Sequence, residues 1–135
     1  MRVFVDTSAF LAVLDADDRN HPPVAQAWKD LLSEGRDLVT SSYVLVETFA
    51  LVQNRLGVEA VRALDQDLLP AVKVIWLEPE VHRAAVGALL TAGRRQLSLV
   101  DCTSFEVMRR YGLTAALTFD SHFAEQGFEV LPVSS

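Results

Sequence analysis

The chain has one cysteine in 135 residues, so Cys102 has no partner for an internal disulfide and cannot build a cysteine-ligated metal site. Between Asp101 and Thr103 it is expected to pack as a small apolar residue. Long apolar runs are missing as well. The mean hydropathy is +0.22, yet Asp, Glu, Arg, Gly or Pro cuts every stretch before the ~20 residues that a bilayer span needs. The N-terminus lacks the basic and then apolar layout of a secretory signal, because it runs directly into a strand pattern carrying Asp6. We therefore expect a cytoplasmic protein with no membrane partner. Linkers, internal repeats and low-complexity stretches are also absent, so residues 1–135 are expected to form a single domain. Basic charge is scarce: 12 Lys and Arg stand against 18 Asp and Glu, giving a net charge of −6. That balance argues against nucleic-acid binding through a general basic surface.

What the chain does have is clear punctuation. Strands are expected over residues 2–5, 37–40, 72–77, 114–119 and 128–131. Helices are expected over 8–14, from Pro22-Pro23 to Gly35, over 42–56, over 58–69 as far as Pro70, from Pro79 to Gly93 and over 98–111, with a short helical turn through Ala124. Five of the six glycines fall just past one of these helices, and Gly87, inside one, is read as permitting close helix packing. Strands alternating with helices across short links imply an α/β fold. We expect a mainly parallel sheet of four to five strands with helices on both faces.

Four acids stand where strands hand over to helices or inside an apolar helix: Asp6 in VFVDTSAF, Glu47 in SYVLVETFALV, Asp101 in LSLVDCTSF and Asp120 in ALTFDSHF. In a parallel α/β sheet, ligands bind beyond the carboxyl ends of the strands, so Asp6, Asp101 and Asp120 can face one crevice. Converging carboxylates are what a hard divalent cation requires, and the chemistry that follows is metal-dependent phosphodiester hydrolysis. Each Asp also has a plainer role. Asp6 and Asp120 stand at helix-capping positions, and Ser98-Leu99-Val100-Asp101 fits a capping box. Glu47 has no such role, since its helical neighbours are Tyr43, Val44, Ala50 and Leu51; the structural alternative is an ion pair with Arg55.

Read together, VDTSAF, VLVET, LSLVDCTSF and LTFDSHF resemble the motifs of the PIN-domain ribonucleases, and closely those of VapC-type toxins of toxin–antitoxin pairs. The resemblance runs from Arg2 to the last strand. It implies a three-layer α/β/α PIN-like domain and a Mg2+-dependent endoribonuclease in which Mn2+ substitutes, neutralised by a cognate antitoxin and forming a homodimer. The acidic quartet falls on Asp6, Glu47, Asp101 and Asp120, with Asp6, Asp101 and Asp120 as metal ligands. Supporting hydroxyls fall on Thr7 or Ser8 and on Thr118. The implied products carry a 5′-phosphate and a 3′-hydroxyl.

The charge objection weakens on this reading. One bound Mg2+ takes the total from −6 to −4, and ten of the twelve basic residues are Arg, the better bidentate reader of phosphate. Arg94-Arg95 and Arg109-Arg110 are either phosphate contacts or solvated helix ends. His122 is left outside the catalytic set, as a residue that holds the turn or touches RNA. Trp76 is expected in the core; Trp28 is read as able to stack a base or face a partner. Two related α/β folds fit poorly, because a haloacid-dehalogenase-type phosphatase needs an Asp where Ser8 stands and a receiver domain needs a late Lys where none follows Thr118. The alternative that stays open is a catalytically inactive PIN-like module that binds RNA or protein.

Overall fold

The computed structural model describes residues 1–133. Five strands, β1 (Arg2–Val5), β2 (Asp37–Ser41), β3 (Val72–Ile75), β4 (Ala115–Leu117) and β5 (Glu129–Leu131), form one sheet in the order β3-β2-β1-β4-β5, and every pairing is parallel. Between them run α1 (Thr7–Leu14), α2 (His21–Ser33), α3 (Ser42–Leu56), α4 (Val58–Ala63), α5 (Pro79–Ala92), α6 (Leu99–Arg110) and α7 (His122–Glu125). The chain starts at the centre, winds outward to β3, crosses back to β4 and winds outward again to β5. Right-handed crossovers then place α1–α4 on one face and α5–α7 on the other, the expected three layers. The direction of winding reverses between β1 and β4. In that register Val5 pairs with Leu117, so Asp6 and Thr118 leave the sheet close together at its carboxyl edge.

The central strand is covered on both sides, and Val3, Phe4 and Val5 are fully buried, as a parallel sheet requires. Under one face Phe123 packs on Phe105 with ring centroids 5.0 Å apart and on Phe4 at 6.4 Å. Under α1, Phe10 meets Trp28 edge-on at 6.0 Å. Trp28 is thus a core residue and no partner-facing one. Cys102 is buried, as expected of a small apolar residue.

Three further expectations need correction. Trp76 is 67% exposed, because β3 stops at Ile75 and the chain then turns away, with the Leu77 N–H donating to Ser42 Oγ at 3.0 Å. The helix expected over 58–69 is α-helical only to Ala63; a π-helical turn (Leu64–Leu68) and a 3-10 turn (Leu69–Ala71) follow. Pro70 lacks an N–H and disfavours α-helical geometry just before it, so the chain changes pitch ahead of it. Gly87 packs against nothing: a Cβ built there meets no atom within 4 Å. The glycines after helices do behave as expected, with Gly57 at φ 93 and Gly93 at φ 61. Among the described residues no helix is long and apolar enough to cross a membrane.

Truncating the ring that joins β1, α6 and β5 should be severe. Phe123→Ala is expected to cost about 3–5 kcal/mol in denaturant unfolding. Trp76→Ser, on an exposed side chain, should stay within about 0.5 kcal/mol; a large loss there would contradict the placement of Trp76 outside the core.

Candidate active site

Asp6 follows directly on β1, and its side chain is 5% exposed. It makes no capping bond to α1. Its Oδ2 instead accepts from Ser8 Oγ at 2.8 Å and from Thr118 Oγ1 at 2.9 Å. Each hydroxyl has one proton, so with both donated to Asp6 the 3.2 Å approach of Ser8 Oγ to Thr118 Oγ1 is a contact between acceptors. Both hydroxyls in turn accept backbone protons, Ser8 from Phe119 N–H at 2.9 Å and Thr118 from Asp120 N–H at 3.0 Å. The β1 and β4 ends are thereby locked together around one carboxylate oxygen.

Asp101 keeps the capping role that its sequence announces. Ser98 N–H donates to Asp101 Oδ2 at 3.0 Å, and Asp101 N–H donates to Ser98 Oγ at 3.1 Å. Asp120 also does local work, since its Oδ1 accepts His122 N–H at 2.9 Å. All three Asp therefore share a pattern: protein donors clamp one oxygen, and the other has no hydrogen bond among the described residues.

The three charges are close enough to act on one another. Burial raises the Asp6 pKa, and the Asp120 charge raises it further; the Ser8 and Thr118 hydroxyls oppose this, with the Thr7 amide adding a weaker pull short of a capping bond. Asp101 is also raised, first by burial and then by Asp120 and Asp6, against the Ser98 hydrogen bonds. No Lys or Arg pairs with any of the three among the described residues. Mutually repelling carboxylates, Asp6 buried and Asp101 and Asp120 half-buried, each with one oxygen to spare, fit a hard divalent cation.

Glu47 is half-buried on α3, which touches both α1 and α6. Among the described residues it has neither a hydrogen bond nor an ion pair, so the alternative partner Arg55 is not engaged. The neighbouring Thr48 Oγ1 donates to Thr7 Oγ1 at 3.2 Å, which ties α3 to the start of α1. Thr7 thus links helices, while the hydroxyl on Asp6 comes from Ser8. Arg109 and Arg110 are helix-end residues: Arg109 donates to Gln126 at 2.6 Å and lies over the Phe128 ring, and Arg110 pairs with Glu106 at 3.0 Å. Arg94 is tied to Glu125 at 3.2 Å.

His122, set aside on sequence grounds, comes into the site. Asp101, Asp120 and His122 each offer a ligating atom, all within 4.8 Å of one another. The signal for this lies in DSHF, where a turn two residues long folds the imidazole back over the acid. A cleft of about 580 Å³ opens beside Asp120 and Thr118, floored by Phe119, Val130 and Pro132.

The PIN domain family model matches residues 3–129. The chain is 36% identical over 132 residues to the 23S rRNA-specific endonuclease VapC20 of Mycobacterium tuberculosis, covering 96% of this chain and 98% of that protein. It is 28% identical to ribonuclease VapC26 of the same organism, over 90% of both chains. The crystal structure of VapC20, described as a sarcin-ricin loop cleaving toxin, superposes with a TM-score of 0.81 at 34% identity, covering 93% of this chain and 95% of that one. VapBC2 from Rickettsia felis, bound to a promoter DNA fragment, shares the fold at a TM-score of 0.72 and 13% identity, over 96% of this chain and 97% of that one.

The raised Asp6 pKa sets a pH dependence. A carboxyl that titrates higher folded than unfolded contributes stability that is present below the unfolded value of about 3.9 and lost as pH rises through the folded value. In metal-free protein Asp6→Asn should therefore raise the melting temperature at pH 7, with the gain shrinking as the pH approaches 4. Asp101→Asn should show a smaller gain, since its carboxyl is more exposed and better screened. An Asp6→Asn variant less stable than the parent at pH 7 in chelator would contradict the repulsive site.

Proposed function

From the premise that the chain belongs to the PIN-domain family, we propose that it is a Mg2+-dependent endoribonuclease of the VapC toxin class, with residues 1–135 acting as one nuclease domain in the cytoplasm. The observation that carries this reading is the convergence of Asp101, Asp120 and His122 within 4.8 Å, with Asp6 near enough for its charge and theirs to act on one another and no Lys or Arg partner among the described residues. The 36% identity to VapC20 supports RNA as substrate, and ribosomal RNA is the first class to test.

Asp6, Asp101 and Asp120 would hold the ion, with Mn2+ able to replace Mg2+. When bound, the ion supplies Lewis-acid polarisation of the phosphodiester and acidifies water for in-line attack. Ser8 and Thr118 fix the rotation of Asp6 so that its second oxygen faces the crevice. Ser98 and the His122 amide do the same for Asp101 and Asp120. Glu47, with no hydrogen bond to hold its carboxylate, is the acid free to take the proton of the attacking water. The cut leaves a 5′-phosphate and a 3′-hydroxyl. A cognate antitoxin neutralises the enzyme by setting a basic group among the acids, where a guanidinium can bind carboxylate in bidentate fashion. The protein works as a homodimer.

Purified protein should cleave ribosomal RNA in Mg2+ and stop in excess chelator; mapping the RNA ends gives the site and the end chemistry. Asp101→Asn should lose at least about a hundredfold in rate while remaining folded. Glu47→Gln should lose activity with a stability change within about 1 kcal/mol, because no ion pair is broken. Unchanged cleavage by Asp101→Asn, or full activity in chelator, would leave the inactive binding module as the better reading.

A further inference from the structure

The nitrogen of His122 is the feature of the crevice that the acidic quartet does not explain. Its Nδ1 lies 2.8 Å from Asp120 Oδ1, but the two do not have hydrogen-bond geometry, and Nδ1 is a buried polar atom with no hydrogen-bond partner. The side chain is 14% exposed, so water does not readily relieve it. Leaving such an atom unsatisfied is costly. Two atoms that ligate one cation at right angles, each about 2.0–2.1 Å from it, sit about 2.9 Å apart without bonding to each other. The Nδ1 to Oδ1 approach has that spacing, Oδ1 offering the lone pair that the His122 N–H leaves free, and the convergence of Asp101, Asp120 and His122 within 4.8 Å gives the third corner.

Resting on the reading of this crevice as a metal centre, we propose that His122 is a nitrogen ligand that turns an all-oxygen site into a mixed one and gives it a preference for Mn2+ over Mg2+. With the ring proton on Nε2, Nδ1 presents its lone pair toward the acids. Mg2+ favours oxygen and gives up its waters reluctantly, so a nitrogen donor adds little to its binding, whereas Mn2+, a transition ion that also accepts carboxylate, can use the imidazole lone pair. The backbone supports the geometry. His122 opens α7, its own N–H is anchored on Asp120, and the next residue, Phe123, is fully buried in the ring cluster. The backbone that carries the imidazole is therefore fixed beside the acid.

The other two histidines are engaged elsewhere, which makes the test clean. His21 Nδ1 contacts Ala12 O at 2.8 Å, and His82 is paired with Tyr43. The full chain, stripped of metal, is titrated with Mn2+ and separately with Mg2+ by calorimetry, and the Mn2+ form is examined by pulsed EPR for coupling to 14N. The expected result is one imidazole coupling in the parent, absent in His122→Ala and in His122→Asn, both checked for folding by circular dichroism. Mn2+ affinity should fall roughly tenfold or more while Mg2+ affinity changes by less than about threefold. Absence of nitrogen coupling in the Mn2+-loaded parent overturns the assignment, as does an equal loss for both ions. If Mn2+ binds the parent and Asp6→Asn abolishes it without any nitrogen signal, only the His122 assignment fails. If neither ion binds the parent, the metal-centre reading falls with it.

Discussion

A carboxylate buried beside other carboxylates is unfavourable, and the region around Asp6 is arranged to tolerate that state. Two hydroxyls, from Ser8 and Thr118, donate to a single oxygen of Asp6. Those bonds offset part of the desolvation, yet the pKa remains raised, so they do not cancel it. What they add is geometry. With Oδ2 held, the carboxylate is restrained, and the neighbouring acids Asp101 and Asp120 face a charge that is neutralised either by a proton or by a bound cation.

The sheet order makes this meeting possible. Asp6 and Asp120 are separated by most of the chain, but β1 and β4 are neighbours, and Thr118 bonds directly to Asp6 at a sequence separation of 112. Asp101 arrives from the crossover between β3 and β4, at the first turn of α6, where the helix dipole partly compensates its charge. The apolar contacts behind the site serve the same end. Phe123 follows His122 and packs on Phe4 and Phe105, so β1, α6 and the turn after β4 share one rigid backing. Stability and site geometry are therefore coupled through the same rings.

Elements bounded by glycine or proline are legible in the sequence because those residues act on the local backbone; the starts at Val58, after Gly57, and at Pro79 agree with the structure. Errors arose where tertiary position decides. Whether Trp28 is buried depends on α2 lying against Phe10, and whether Trp76 is buried depends on how far an edge strand stays in the sheet. Neither fact is local. The three Asp could be picked out because each sits at an element boundary. The choice of Ser8 over Thr7 as the hydroxyl on Asp6 could not, since it turns on how the first turn of α1 faces β4. His122 was hidden for the same reason.

For an Asp at a helix start, a capping bond and a bound cation are compatible roles. A carboxylate has two oxygens, and a cap uses one. Asp101 gives Oδ2 to the Ser98 N–H, and Asp120 gives one lone pair of Oδ1 to the His122 N–H, keeping the other lone pair and Oδ2. The backbone donor then acts as a fixed clamp that orients the second oxygen, much as an outer hydrogen bond orients a metal ligand. A helix terminus is a sound place for such an acid. The local bond holds the side chain in one rotamer and leaves the other oxygen without a hydrogen bond among the described residues, so that it can accept a cation.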